Sequence, residues 1–297
     1  MKTVAILTGR NIKLYFKDKG MFLTSLITPL ILLVLYATFL SNVYRDSFMS
    51  GLPEGLPVPE DVIGGLVGGQ LISSLLAVSC ITVAFCSNFL MVQDRAKGTS
   101  KDLLISPVDN WKLSVSYYVA NLISTFIVSL CAMVLCLGYV AIEGWYMSGT
   151  DVLYLFFDVI LLVLFGTALS SVVNFFLSTQ GQISAVGSIV SSAYGFICGA
   201  YMPISSFGSG MQKLVAFLPG TNGTSLVRNH SLRGALGELE SVGVPTEAIN
   251  ELRNLFDCNI YFFDNSVSMP AMYVILGGST LVLAAVYILL NRFKKKI

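Results

Sequence analysis

The chain has 297 residues, 55% of them hydrophobic and 12% charged, with a mean hydropathy of +0.76 and a net charge of +1. Soluble domains carry about 25% charge, so this composition excludes a water-soluble globule and points to an integral membrane protein. It also excludes a nucleic-acid partner, because no basic face large enough to hold phosphates is present.

Met1–Lys19 reads as an amphipathic helix, with Arg10, Lys13 and Lys17 on one side and Val4, Leu7, Leu14 and Tyr15 on the other; Ile6 is the exception. A basic-faced helix of this kind lies in the headgroup layer, so residues 1–20 are expected to form an interfacial helix. Neither its polarity nor the long apolar run behind it fits a cleavable signal peptide. Crossing the hydrocarbon takes about 20 apolar residues. Six such runs are expected as spans: Met21–Val43, with Pro29 as a kink, Val62–Val92, Leu113–Ile142, Asp151–Leu177, Ile183–Met202 and Met269–Leu290. Between the first two, Tyr44–Asp61 holds Pro53, Pro57 and Pro59 and reads as an irregular loop. Glu143–Thr150 places Trp145 and Tyr146 at interface depth, and Ser178–Gln182 reads as a tight turn.

Lys and Arg set the expected orientation. The segments before span one, between spans two and three, and after span six hold 13 of the 18 basic residues. Both termini are therefore expected in the cytosol. The opposite loops are acid-rich, and the largest is Pro203–Ser268. Within it Phe207–Leu218 is apolar but too short to span, which suits a re-entrant segment. Pro245–Phe256 patterns as an amphipathic helix with Ala248, Ile249, Leu252, Leu255 and Phe256 on one face. The expected fold is an all-α polytopic membrane protein with six transmembrane helices. Its parts are the interfacial helix 1–20, spans one to five over 21–202, an external helical cap over 203–268, and span six with its basic tail over 269–297.

Catalytic chemistry has little to build on. No GxxxxGK[ST] loop exists. The six cysteines match neither a zinc site nor a redox pair, and no metal site is expected. His230 is the one histidine and reads as a solvated loop residue. Asp158 is the one acid inside an apolar run, FFDVILL. It either serves transport or, near the outer end of its span, sits by the headgroups or pairs with a neighbouring helix. Asn88, Asn121 and Asn174 suit helix-to-helix hydrogen bonding. Asn222-Gly-Thr and Asn229-His-Ser match the glycosylation pattern and are taken as incidental.

The long polar interruption in the first half is Gln93–Lys112, QDRAKGTSKDLLISPVDNWK. It carries Asp94, Arg95 and Lys97, then Gly98-Thr99, Leu103-Leu104 and Ser106-Pro107. After the fifth run come Gly199-Ala-Tyr-Met-Pro203, Phe217-Leu-Pro219, Arg228 and Leu232-Arg-Gly234. In this order along six spans, these motifs resemble the ATP-binding-cassette type 2 permeases over nearly the whole chain, the drug and lipid exporters more than the polysaccharide exporters. The family commonly has a glutamate ahead of the Gly-Thr pair; here Asp94 and Arg95 stand in that region.

The resemblance implies a bacterial cytoplasmic membrane and a homodimer or heterodimer of permeases, surrounded by membrane lipids. It implies a separate nucleotide-binding ATPase subunit that carries ATP and Mg, with no cofactor and no catalytic residue in this chain. The partner is expected to seat on the 93–112 loop. There Leu103, Leu104 and Ile105 fill an apolar groove, while Arg95, Lys97 and Lys101 meet an acidic rim. An amphipathic or hydrophobic substrate is expected to pass between two copies, along spans one, two and five, with Phe85, Asn88, Phe89 and Phe196 beside it and Asp158 as a further candidate. Two readings compete: a carrier driven by an ion gradient, and a non-transporting anchor or sensor subunit. A polytopic membrane enzyme would need clustered His, Asp or Cys at one membrane face, and the sequence offers no such cluster.

Overall fold

The computed structural model describes residues 2–52, 58–105, 108–263 and 265–293, with every side chain except those of Thr28 and Leu104. Pro53, Pro57, Asp264 and Lys294–Lys296 lie outside the described residues. Helix α1 (Lys2–Lys17) is the amphipathic helix, and it buries Leu7, Asn11 and Tyr15. Asp18 then caps α2 (Lys19–Leu35), its carboxylate accepting from the Met21 N–H at 3.0 Å. The chain does not leave the helix at Val43. A π-helical turn, Tyr36–Leu40, leads into α3 (Ser41–Ser50), so one helix runs over Lys19–Ser50. The expected loop starts seven residues later because Tyr44 and Phe48 bury a face. Phe48 stacks on Phe256 at 3.8 Å. The helical register is broken at the π-turn, where the Tyr36 hydroxyl donates to the Ala200 carbonyl at 2.5 Å; α2 itself runs on through Pro29.

Helix α4 (Glu60–Ala96) is the central shaft. Its 37 residues span about 55 Å at 1.5 Å per residue, and every residue from Val62 to Val92 is buried. A helix apolar on all sides belongs inside a bundle. Small residues let its neighbours approach. A Cβ added at Gly68 would meet Val140 at 2.8 Å, and one at Gly69 would meet the Ser231 carbonyl at 2.7 Å. At one end of the shaft, α5 (Thr99–Ile105) leads into α6 (Asn110–Glu143). Helices α7 (Gly149–Phe175) and α8 (Gln180–Ile197) each open on a capping box, Ser148 with Asp151 and Thr179 with Gln182. The end that carries α1, α5 and the close of the last helix is called the basic end below, and the opposite one the cap end.

After α8, Gly199 turns the chain at φ +73°, a conformation that favours glycine. A short α9 (Ser209–Ala216) and then α10 (Pro219–Ser241) follow. Helix α11 (Thr246–Leu255) buries Ile249 and Leu252 as its pattern foretold. A small antiparallel hairpin, β1 (Tyr261–Phe262) with β2 (Asn265–Ser266), precedes α12 (Met269–Phe293).

Five helices are long and apolar enough to cross a membrane, namely Lys19–Ser50, α4, α6, α7 and α12. The fifth expected span, α8, is not among them, because its 18 residues include Gln180, Gln182 and four serines. Ser184, Ser188 and Ser192 return their hydroxyls to the carbonyl one turn back, which tempers that polarity. One expectation is corrected, at α10. The sequence reading placed 219–241 in an external loop, with the re-entrant segment at 207–218. Instead α10 is a buried 23-residue helix packed along α4, α7 and α12. It begins beside Leu162, at the middle of α7, and reaches Tyr146 at the cap end. Asn222 and Asn229, the two glycosylation candidates, are buried in it.

Candidate functional site

The last turn of α4 is tied down from three sides. Asp94 is buried and accepts from Arg10 of α1 at 2.8 Å and from the Tyr117 hydroxyl of α6 at 2.5 Å. Arg95 donates to the carbonyls of Asn174, Phe175 and Leu177 at 3.2, 2.7 and 3.0 Å and lies over the Phe175 ring. A cation on these orphan carbonyls closes the C-terminus of α7. Both side chains therefore point into this chain. Arg95 is not the rim charge expected from the sequence, because its guanidinium is already spent on α7.

Beyond Lys97 the chain turns through Gly98 at φ +81° and enters α5. Lys97, Lys101 and Ile105 recur at a spacing of four residues and are exposed, Ile105 by 85%. Leu103 packs instead on the cluster of Leu7, Tyr15 and Met21, so it anchors α5 to its own bundle rather than filling a partner's groove. Thr99 opens α5 and is half-buried. Ser106 and Pro107 lie outside the described residues, as does the Leu104 side chain.

The residues expected along a substrate path are divided. Phe85 and Phe89 are buried, and Phe89 lies 3.3 Å from where a Cβ of Gly187 on α8 would sit. Asn88 is buried as well and donates to Ser170 and Ser171 of α7 at 3.3 and 3.1 Å. Asn121 of α6 donates to the same Ser170 at 3.1 Å. These asparagines knit α4, α6 and α7 together. Phe196 is half-exposed and meets Tyr201 edge to face at 5.2 Å.

At the cap end α10 gathers the charged groups that sequence reasoning dispersed over loops. Arg228 is 1% exposed. It donates to the Phe256 and Gly199 carbonyls, both at 2.9 Å, and to Asp257 at 3.2 Å, with Ser73 and Ser74 of α4 beside it. Asp257 also accepts from the Ile204 N–H at 2.8 Å. Burial pushes the Asp257 carboxyl above its ordinary value, against the pull of Arg228 and of that N–H. His230 is not solvated: its Nδ1 lies 2.6 Å from the Asp158 carboxylate, and Tyr154 stacks on its ring at 5.0 Å. Tyr273 of α12 donates to the other Asp158 oxygen at 2.7 Å. Asp158 thus pairs across helices, with α10 and α12. Tyr273, Asp257 and Tyr117 had no signal in the sequence, since each is read only through a partner far along the chain.

The family model described as ABC-2 type transporter matches residues 2–230. The chain belongs to that family. A comparison with curated proteins returns no match. The matched region takes in α1 through the loop at 93–112 and ends at His230 on α10. This ABC-2 protein is therefore a multi-pass membrane permease subunit of an ABC transporter, a family whose ATPase is a partner subunit.

Geometry gives the permease a continuous mechanical line. At the basic end Asp94 and Arg95 bind the α4 shaft to α1, α6 and α7. At the cap end Ser73 and Ser74 of the same shaft stand beside Arg228, which holds the turn after α8 and the turn after α11. Packed, hydrogen-bonded groups along the unbroken α4 helix thus connect the region of α5 with α8 and α10.

Proposed function

We propose that this permease is the membrane subunit of an ATP-driven exporter. It moves an amphipathic or hydrophobic substrate, of the drug, lipid or peptide-like class, out of the cytoplasm or inner leaflet. It works as a homodimer or heterodimer with a related permease in a bacterial cytoplasmic membrane, with six crossings, α8 being the fifth, and both termini cytosolic. ATP and Mg bind the separate nucleotide-binding subunit, which seats on the 93–112 loop. The observation that carries this reading is the pairing of a locked base with an exposed tip: Asp94, Arg95 and Leu103 hold the loop to the bundle while Lys97, Lys101 and Ile105 face outward.

The test is affinity purification from native membranes, with ATP hydrolysis measured on the eluate. Ile105→Asp and Leu104→Asp are expected to reduce the retained ATPase by about 30-fold, the scale of a lost apolar hot spot. Both variants keep normal membrane insertion. Undiminished ATPase retention and transport in both would sink the proposal. One observation favours a second reading, an ion-gradient-driven carrier: Asp158, His230 and Tyr273 form a buried ionisable cluster between α7, α10 and α12. An eluate without ATPase, together with transport that follows the proton gradient and is lost in Asp158→Asn, selects that reading.

A further inference from the structure

At the basic end, α6 and α12 diverge and leave an apolar groove of about 730 Å³. Val115, Tyr118, Ala284 and Ile288 line its walls. Its closed side is a built seam: Tyr118 stacks on Tyr287 at 5.7 Å, the Tyr287 hydroxyl donates to the Ser114 carbonyl at 3.3 Å, and the Ser114 hydroxyl donates to Asn291 at 2.7 Å. The groove therefore does not close by collapse of the two helices. The outer face of α12 is largely exposed, with Leu281, Val282 and Ile288 each more than 60% exposed, so the groove opens toward lipid rather than toward the bundle.

The groove's mouth is charged on one side. Asp109, at the start of α6, is neutralised by Lys112 at 2.6 Å, and that ammonium also lies over the Trp111 ring. Arg292 closes the groove at the end of α12 and makes no ion pair among the described residues. Lys294, Lys295 and Lys296 follow it in the sequence. An indole at a span end, an uncompensated guanidinium and an apolar trough one side chain deeper have the chemistry of a phospholipid seat: headgroup phosphate outside, acyl chain within.

We propose that this groove binds one anionic phospholipid, its phosphate on Arg292 and one acyl chain between α6 and α12. Lys112 is not the anchor, because Asp109 holds it. The groove shares Asp109, Asn110 and Trp111 with the end of the 93–112 loop, but none of the residues assigned above to the α5 tip or to the substrate path lines it.

The experiment is native mass spectrometry of the detergent-purified full chain, titrated with phosphatidylglycerol or phosphatidylcholine of matched acyl chains. The unsubstituted chain is expected to retain one phosphatidylglycerol at least fivefold more strongly than phosphatidylcholine, the order of one basic residue at a lipid surface. Arg292→Gln, at an exposed position, is expected to abolish that preference while weak binding of both lipids persists. Ala284→Trp, which fills the trough, is expected to lose both, and Val115→Trp on the facing wall repeats the test should Ala284→Trp fail to fold. Equal retention of the two lipids by the unsubstituted chain overturns the proposal, as does a preference unchanged by Arg292→Gln. A disulfide between two copies of Ala284→Cys in membranes also overturns it, since a second chain would then occupy the groove.

Discussion

The single residue on which most of the cap end depends is Arg228. Its buried guanidinium donates to two carbonyls and a buried carboxylate. Arg228→Ala strands Asp257 as a buried charge, and removing one partner of such a pair costs about 3–5 kcal/mol. The expected result is a large drop in thermal unfolding temperature, read by size-exclusion fluorescence. Arg228→Lys recovers only part of it, because an ammonium cannot span acceptors that a planar fork reaches together. Asp158 behaves differently. Asp158→Asn keeps an acceptor for Tyr273 and replaces the carboxylate oxygen that faces His230 Nδ1. In an ATP-driven permease it is expected to cost stability while transport in reconstituted vesicles persists. Transport abolished at unchanged stability contradicts that expectation and gives the cluster a role in ion movement.

At the scale of elements, the α4 shaft is defined by how closely its neighbours approach. Gly69→Ala drives a methyl into the Ser231 carbonyl, and overpacking of this kind costs about 1–3 kcal/mol. Gly138→Ala on α6 is the matched control, since nothing lies within 4 Å of its added Cβ; Gly69→Ala is expected to unfold several degrees below it. The α5 helix offers a second comparison. Leu103→Asp places a charge in the cluster of Leu7 and Tyr15 and is expected to lower stability before any partner is added. Ile105→Asp leaves the isolated permease as stable as its parent and shows its effect only in ATPase retention. Equal destabilisation by the two substitutions would place Ile105 inside the fold as well. Helix α10 shows why an element escapes sequence reading. Its first part, Gly220–Leu232, is buried all round, so no amphipathic period marks it, and its polar side chains lower its hydropathy yet find partners within the chain, Ser231 with Gly69, Asn229 with Cys258, and His230 with Asp158.

At the scale of the molecule, the membrane class, the bounds of the long second span and the amphipathic first helix were legible in composition and periodicity. Apolar runs set those elements by themselves, because lipid leaves a hydrophobic segment little choice but a helix. The order of motifs along the chain likewise sufficed for the family, as the match over residues 2–230 agrees. The count of crossings was less legible. Helix α8 is too polar to be marked by its own hydropathy; the structure adds its packing against α4 through Gly187 and Phe89.

The candidate site divides in the same way. Local sequence determined that 93–112 is a polar interruption between two apolar runs, since composition acts within the segment itself. Only the tertiary structure decided which of its charges face inward. Asp94 meets Arg10 and Tyr117, Arg95 meets the end of α7 some 80 positions away, and His230 meets Asp158 from 72 positions away. A charge carries no mark of its partner until the chain is packed, so burial and pairing of ionisable groups are properties of the fold, whereas the tendency to span a membrane is a property of the segment.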